Sequence, residues 1–264
     1  MNTQPKIELM SPAGSEAALA AAIRAGADSV YFGVGKLNMR ARSANLSPED
    51  LPKIARTCRV AGVKSYLTLN TIVYDDEMGE MRALCDAAKA AGVSAVIATD
   101  IAAIEYARSI GLEVHISVQA NVTNFQAVKF FARYADTVVL ARELSLEQIA
   151  GIARKVQEET LRGPSGELIR LELFAHGALC VAVSGKCYMS LAQYDHSANR
   201  GACFQPCRRS YRITDDETGE ELVIDNKYVM SPKDICTIQY LDKITAAGIS
   251  VLKIEGRGRS ADYV

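Results

Sequence analysis

Four cysteines fall close together in the second half of the chain and are the residues with the clearest chemistry. They are Cys180, Cys187, Cys203 and Cys207, with the spacing C-x6-C-x15-C-x3-C. Glycines at positions 177, 185 and 201 let the backbone turn between them, so that the four sulfurs can converge. Four thiolates suit zinc or an iron–sulfur cluster, and we interpret the stretch as a metal site.

The spacing favours an iron–sulfur cluster over zinc. Structural zinc usually takes two short C-x2–4-C pairs, and only Cys203 and Cys207 form such a pair here. Cysteine is also a common small buried hydrophobe, which suits Cys58 and Cys85 in their helical patterns better than the four cysteines among glycines and polar residues. Disulfides are the remaining option. Because no signal peptide opens the chain, we expect a reducing cytoplasmic setting instead.

A second group of polar residues stands where predicted strands end. Its members are Ser11, Asn70, Asp100, Gln119, Arg142, His176 and Glu255. Capping of strand ends would account for one or two of them, but not for the whole set. We therefore predict an active site in which the catalytic candidates are Glu255, His176, Asn70, Gln119 and Asp100.

Several arginines lie in the same predicted loops. Arg40 and Arg42 follow the second strand, Arg142 follows the sixth, and Arg257 lies in EGRGR after the last. Guanidinium groups clamp carboxylates and phosphates with paired hydrogen bonds, so we predict substrate binding by these four, with solvated loop charges as the alternative. The last of them stands where barrels often bind phosphate.

These residues are positioned by a helix–turn–strand unit that recurs along the chain. Strands are predicted at Ile7 to Met10 and Ile169 to Phe174, and in AGADSVYFG, AGVKSYLTL, AAGVSAVIATD, SIGLEVHISV, YADTVVLAR and AAGISVLKIEG. Strands that alternate with helices and read as apolar runs belong to a parallel sheet covered on both faces. Eight units predict an α/β fold, a closed (β/α)8 barrel. An open doubly wound sheet is the alternative, but no G-x-G-x-x-G follows the first strand.

The length of 264 residues, about half of them apolar, fits one barrel domain over residues 1–264. About 75 residues separate the last two strands, far more than one helix and two loops need. We therefore predict a metal-binding insertion at 178–246, on the face where barrel chemistry occurs. The chain stops where an eighth helix would begin, so we expect a longer gene product with a C-terminal domain.

Composition narrows the partners and the reaction. The net charge is −1, so binding to a polyanion would need a local patch, for which Arg208, Arg209 and Arg212 beside Tyr211 are the candidates. A solvated face is the alternative for this trio. No run of 18 apolar residues occurs, so we expect no membrane span. The protease signatures H-E-x-x-H and G-x-S-x-G are absent.

Several segments together resemble one family. ELFAHGALCVAVSGKCYMS and NRGACFQPCR, with ELMSPAGS, HISVQANVTN, MSPKDICTI and VLKIEGRGRS, are similar to the collagenase-like peptidase family numbered thirty-two among those of unknown catalytic type. The resemblance covers essentially the whole chain. Some members were described as collagenases. Others resemble tRNA 5-hydroxyuridine synthases that use prephenate, a ribosomal-RNA cytidine hydroxylation factor, and oxygen-independent hydroxylases of the ubiquinone pathway.

The resemblance implies a [4Fe–4S] cluster held by the four cysteines, with Cys236 in SPKDICTI as an alternative to Cys207. The GACxQPC form is most similar to the tRNA-modifying branch. The implied function is an iron–sulfur enzyme that hydroxylates RNA, at a tRNA uridine, with a carboxylate metabolite such as prephenate as hydroxyl donor, few RNA contacts and a possible protein partner. The alternatives are a collagenase-like peptidase, a hydroxylase of a small aromatic metabolite, and a binding module with structural zinc or a cluster.

Overall fold

Parallel strands close into a barrel in the computed structural model of the chain, which describes residues 7–41, 46–224, 230 and 233–264. In chain order the strands are β1 (Glu8–Pro12), β2 (Ser29–Phe32), β3 (Lys64–Leu69), β4 (Ala95–Ala98), β5 (Glu113–Ile116), β6 (Thr137–Val139), β7 (Arg170–Gly177), β8 (Tyr211–Thr214), β9 (Glu221–Ile224), β10 (Ile235–Cys236) and β11 (Val251–Ile254). β1 to β7 pair in sequence, β7 pairs with β11, and β11 pairs back onto β1. The predicted eight-stranded (β/α)8 barrel is confirmed.

Helices connect the strands and cover the outside of the barrel. They are α1 (Glu16–Arg24), α2 (Leu51–Val60), α3 (Met78–Ala91), α4 (Ile101–Ser109), α5 (Phe125–Phe131), α6 (Leu146–Glu158), α7 (Met189–Tyr194) and α8 (Leu241–Ala246). Ser15 caps α1, because its side chain accepts a hydrogen bond from the backbone N–H of Ala18. The main core lies between strands and helices, where Leu67 and Ile104 are fully buried.

Large side chains fill the inside of the barrel. Met10, Tyr31, Tyr66, Ile97 and Val251 form a second buried cluster there. Successive strand residues point alternately to the helices and to the barrel axis. The axis is therefore packed below the level at which the strands end, and open space is confined to the mouth.

The segment between β7 and α8 lies over that mouth. β8 and β9 form an antiparallel hairpin, and β10 pairs antiparallel with the end of β7. The backbone N–H of Ile72, after β3, also donates to the carbonyl of Asn199, 3.3 Å away. α8 lies at the end of the predicted insertion at 178–246 and packs into the barrel core through Ile244. Among the described residues, no helix is long and apolar enough to cross a membrane.

Charged groups stabilise the opposite end of the barrel. The carboxylate of Glu8 in β1 accepts hydrogen bonds from Tyr66 Oη at 2.7 Å and Arg170 Nη1 at 2.5 Å, and it lies 3.3 Å from Lys64 Nζ. Burial alone would raise the pKa of Glu8, but Arg170 and the hydrogen bonds outweigh it and lower the pKa to about 2.

This network predicts a pH-dependent stability. Since the ordinary pKa of 4.5 falls to about 2 in the folded state, ionised Glu8 contributes about 3 kcal/mol above pH 4.5, lost as the pH falls towards 2. Glu8→Gln should therefore lower the free energy of unfolding at pH 7 by about that amount, with a difference from the wild type that shrinks below pH 4.5. Urea unfolding across this range tests the idea, with exposed Glu49→Gln as control. An unchanging difference would show that the Glu8 charge is not responsible.

Candidate active site

A cavity of about 480 Å³ opens at the carboxyl ends of the barrel strands. Its wall combines strand-end residues with residues of the cysteine-bearing segment. They include Tyr31, Arg40, Thr68, Asn70, Ser117, Gln119, Arg142, Phe174, Cys180, Cys203, Gln205, Cys207, Arg208, Lys253, Glu255 and Arg257. The volume is in the range of sites that enclose a small organic ligand.

Glu255 is the carboxylate at the centre of this cavity. Its Oε1 accepts a hydrogen bond from Arg40 Nη2 at 2.9 Å, and its Oε2 lies 3.4 Å from the hydroxyl of Tyr31. Burial would raise the pKa of Glu255, yet Arg40, Arg142 and Arg257 lower it on balance. The carboxyl is therefore ionised at neutral pH, and it balances only part of the positive charge around it.

Arg257 is buried at the same level. Its Nη1 donates to Asn38 Oδ1 at 3.2 Å and to the hydroxyl of Thr68. Gly33 leaves room for it, since a Cβ there would lie 2.6 Å from Nη1. Burial lowers the pKa of Arg257 to about 10, so the guanidinium stays protonated at neutral pH. Among the described residues no carboxylate forms an ion pair with Arg257, which leaves it able to bind an anionic ligand.

Arg142 and Lys253 form the floor of the cavity beside Phe174. Arg142 Cζ lies 4.0 Å from the centroid of the Phe174 ring, and its Nη1 donates to the carbonyl of Ala178 at 3.1 Å. Lys253 Nζ pairs with Glu172 Oε1 at 2.8 Å, and both side chains are almost fully buried. Lys253 was not among the residues that the sequence predicted for the site. A charged residue two positions before Glu255 in an apolar strand was the available signal, since both then point to the barrel axis.

Amide groups line the opposite wall. Asn70 Nδ2 donates to Gln119 Oε1 at 3.1 Å and lies 3.3 Å from Ser117 Oγ, while Asn70 Oδ1 accepts from the backbone N–H of Met39 at 3.2 Å. These contacts fix the orientation of Asn70. The predicted candidates Asn70 and Gln119 thus lie in one cavity with Glu255, Arg40, Arg142 and Arg257.

The structure does not bring Asp100 to the cavity. Its Oδ1 accepts from the backbone N–H of Ala102 at 2.9 Å, so that Asp100 caps α4. Its Oδ2 accepts from the backbone N–H of Val73 at 3.1 Å. Both oxygens therefore bind backbone groups. Asp100 is one of the one or two predicted residues that capping explains.

His176 also lies outside the cavity wall, with its ring centroid 5.9 Å from that of Tyr263. His176 belongs to the part of β7 that pairs with β10. The strand therefore continues beyond Phe174, where the sequence predicted its end. Arg42 lies outside the described residues.

Three of the four predicted ligand cysteines, Cys180, Cys203 and Cys207, line the cavity, whereas Cys187 does not. Burial raises the pKa of Cys207, and the neighbouring thiols raise it further, Cys187 among them. The thiols of Cys180, Cys187 and Cys203 therefore lie within electrostatic reach of the Cys207 thiol. Within the described ranges, however, no three His, Cys, Asp or Glu side chains are arranged as ligands of one metal ion.

Cys203 is the most closely supported of these cysteines. The backbone N–H of Gln205 donates to its Sγ at 3.4 Å, and Ser190 Oγ lies 3.9 Å from the same sulfur. Such contacts stabilise a thiolate. The donor set and its position at the cavity rim fit a thiolate-bound metal group. Cys58 and Cys85 are buried in the barrel core, which confirms that they act as small hydrophobes.

Comparisons with known proteins agree on one family. A family model described as Peptidase family U32 matches residues 14–264. A protein of Porphyromonas gingivalis named collagenase is 55% identical over 97% of this chain and 62% of its own length. The tRNA hydroxylation protein P1 of Bacillus subtilis is 34% identical over 98% of this chain and 60% of its own length.

A third relative is the 23S rRNA 5-hydroxycytidine C2501 synthase of Escherichia coli, 36% identical over 98% of this chain and 38% of its own length. The solved structure of the U32 peptidase Mk0906 shares the fold, with a TM-score of 0.59 at 13% identity over 97% of this chain and 95% of that one. The chain spans 62% or less of each of these three curated relatives.

The electrostatics of the cavity predict how Glu255 affects anion binding. Glu255→Gln removes the internal counter-ion of three arginines, so sulfate should bind about tenfold more tightly at neutral pH. The rise in melting temperature with sulfate concentration measures this affinity. Glu143→Gln, the same charge change at an exposed position next to Arg142, is the matched control. An equal response in both variants would contradict a local effect, and a loss of more than about 3 kcal/mol of stability would mark Glu255 as part of a structural ion pair.

Proposed function

The chain belongs to peptidase family U32, and from this premise we propose that it is the barrel part of an iron–sulfur enzyme that hydroxylates RNA, at a tRNA uridine, in the cytoplasm. The observation that carries the proposal is one cavity that joins an arginine-rich anion site to a rim of cysteines. A redox group and a small anionic co-substrate would meet there. The names of two relatives, a tRNA hydroxylation protein and an rRNA hydroxycytidine synthase, support RNA as the substrate class.

The proposed cofactor is a [4Fe–4S] cluster held by Cys180, Cys187, Cys203 and Cys207. When bound, it would supply redox or Lewis-acid chemistry to the reaction. The fit rests on three cysteines that line one cavity, a fourth within electrostatic reach, and an N–H donor directed at the Cys203 sulfur.

The co-substrate would be a small carboxylate of the prephenate type, which donates the hydroxyl oxygen. Arg257 carries a positive charge without a described carboxylate partner, and Arg40 and Arg142 lie near enough to Glu255 to lower its pKa. Guanidinium groups bind carboxylates with paired hydrogen bonds, and burial strengthens that attraction. Ionised Glu255 would orient Arg40 and keep the empty cavity from trapping other anions.

The amide wall would receive the RNA base. A pyrimidine presents both donors and acceptors on its edge, and an amide side chain supplies both. Gln119 Oε1 already accepts from Asn70 at 3.1 Å, so the Gln119 amide is held in place before substrate enters. A base must leave its stack to reach such a cavity, which suits an unpaired nucleotide of a tRNA loop.

A peptidase remains the second candidate, because a relative with 55% identity is named collagenase. All three histidines are among the described residues, and none of the three lines the cavity. No histidine base therefore lies beside a serine or cysteine there. The same cavity would also accept a small aromatic metabolite. A protein partner is also part of the proposal.

The cluster makes one spectroscopic prediction. After anaerobic reconstitution the protein should show the broad visible absorbance of a [4Fe–4S] cluster, and Cys180→Ala and Cys203→Ala should abolish it, because each removes a ligand. Cys236→Ala, which changes an exposed cysteine on β10, is the matched control and should keep the absorbance. If Cys207→Ala kept it and Cys236→Ala lost it, the fourth ligand would be Cys236. One tightly bound zinc without iron would end the cluster proposal.

The activity predicts a change in cellular RNA. Mass spectrometry of digested tRNA and ribosomal RNA from a deletion strain should show the loss of a nucleoside heavier by one oxygen. The full-length gene should restore it, while Cys180→Ala and Glu255→Gln copies should not, because the first lacks a ligand and the second the cavity carboxylate. The Glu255→Gln protein should stay folded and keep its absorbance. An unchanged nucleoside profile, with collagen cleavage by the purified protein that is lost in Cys180→Ala, would establish the peptidase instead.

A further inference from the structure

An aromatic cluster with an arginine lies next to the cysteine rim, outside the cavity. We define the aromatic platform as Tyr194, His196, Phe204 and Arg209. The rings of Tyr194 and Phe204 lie 4.9 Å apart at an angle of 30°, and His196 packs edge-on against Phe204 at 5.1 Å. Arg209 Cζ lies 5.0 Å from the centroid of the Tyr194 ring.

The platform adjoins the cavity through the chain itself. Phe204 stands between Cys203 and Gln205, and Arg209 follows Arg208, and all three of these neighbours line the cavity. His196 and Arg209 are exposed, whereas Tyr194 and Phe204 are half-buried. A cluster of rings and a guanidinium therefore lies beside residues that line the entrance.

Positive charge is concentrated in the same segment. Residues 178–214 contain five basic residues and one acidic residue, although the whole chain has a net charge of −1. Three of the five have carboxylate partners: Arg200 with Glu77, Arg208 with Asp234, and Arg212 with Glu221. Within the described part of the chain, no carboxylate forms an ion pair with the remaining two, Lys186 and Arg209.

This pairing corrects the patch that the sequence predicted. Arg208 and Arg212 form ion pairs, and the Tyr211 hydroxyl donates to the Pro206 carbonyl at 2.5 Å, so Arg209 is the arginine of the predicted patch that has no carboxylate partner among the described residues. Arg209 also donates to the Tyr194 hydroxyl, which holds the guanidinium over the ring. The available cation and the stacking surface are thus one unit.

We propose that the aromatic platform is the surface on which single-stranded RNA docks, with a base stacked on Tyr194 and Phe204 and a phosphate on Arg209. Rings that accept a base beside a cation are the usual device for binding unpaired nucleic acid, and each stacked base contributes substantially to affinity. The inference rests on the proposed RNA function, and it identifies where the strand lies while one base enters the cavity. Few cations are involved, so binding depends on stacking more than on charge.

The test measures fluorescence anisotropy of a labelled single-stranded RNA of about 12 nucleotides, within the usual site size of such surfaces. Tyr194→Ala should weaken binding about tenfold, and Tyr194→Trp should keep it, because the larger ring still stacks. Arg209→Gln should also weaken binding and reduce the dependence on salt by about one phosphate contact. A steep overall dependence, beyond about three contacts, would contradict a platform with few cations.

The chain contains a matched control. Arg133 Cζ lies 4.3 Å from the centroid of the Phe130 ring, a pair of the same chemistry beside the C-terminal end of α5. The helices run antiparallel to the strands, so this pair lies at the barrel end opposite the cavity mouth. Phe130→Ala should therefore leave RNA binding unchanged. If it weakened binding as much as Tyr194→Ala, or if duplex RNA and heparin bound as well as the single strand, the platform would not be an RNA surface. The aromatic platform would then be interpreted as a surface that binds a protein.

The two hypotheses fail separately. Binding lost in Tyr194→Ala, with no hydroxylated nucleoside missing from the deletion strain, would support the platform and refute the proposed reaction. A missing nucleoside restored fully by Tyr194→Ala, together with unchanged binding in that variant, would refute the platform and support the reaction. Circular dichroism and melting of Tyr194→Trp and Tyr194→Ala separate loss of the ring from loss of the fold.

Discussion

The placement of buried charge at the two ends of one barrel is the constraint on which the rest of the structure depends. A buried ionised group is costly unless another charge or a hydrogen bond compensates it. At the end where the strands begin, Glu8 is compensated by Arg170, Tyr66 and Lys64 together. At the mouth, Glu255 is the one carboxylate that lines the cavity among the described residues, and Arg40, Arg142 and Arg257 lie around it. The first arrangement stabilises the fold, and the second has positive charge left for a ligand.

Strand geometry explains why these charges meet. Residues of β11 at alternate positions point to the axis, which places Lys253 one layer below Glu255. Lys253 pairs with Glu172 of the neighbouring strand at 2.8 Å, and it lies 4.5 Å from the centroid of the Tyr31 ring. The charge of Lys253, in the middle of the barrel, is thereby neutralised by Glu172 at the same level. The remaining positive charge of the arginines around Glu255 lies at the open end of the barrel, where solvent ions or a ligand can balance it.

The sequence predicted the barrel well because its signal is local and repeated. A helix end followed by a tight turn and a buried strand reads the same way six times, and two further apolar runs complete the eight strands. Residues at strand ends were harder, because whether a side chain points to the axis, to the helices or to a backbone group depends on where the strand stops. Asp100 caps α4, and β7 runs on to Gly177 and pairs with β10, which takes His176 away from the mouth.

The sequence indicated the chemistry of the cysteine-bearing segment, but it did not indicate which carboxylates pair with its arginines. Its cysteine spacing stands in the sequence, whereas the pairing of Arg208 with Asp234 and of Arg212 with Glu221 depends on how the segment folds back. The sequence alone does not distinguish Arg208, Arg209 and Arg212, whereas these contacts do. Only Arg209 remains without a described carboxylate partner, and it is also the one beside an aromatic ring. The stacking surface and the cysteine rim thus come from the same short segment. A strand held on the first would lie beside the cavity, where Asn70 donates a hydrogen bond to Gln119 at 3.1 Å.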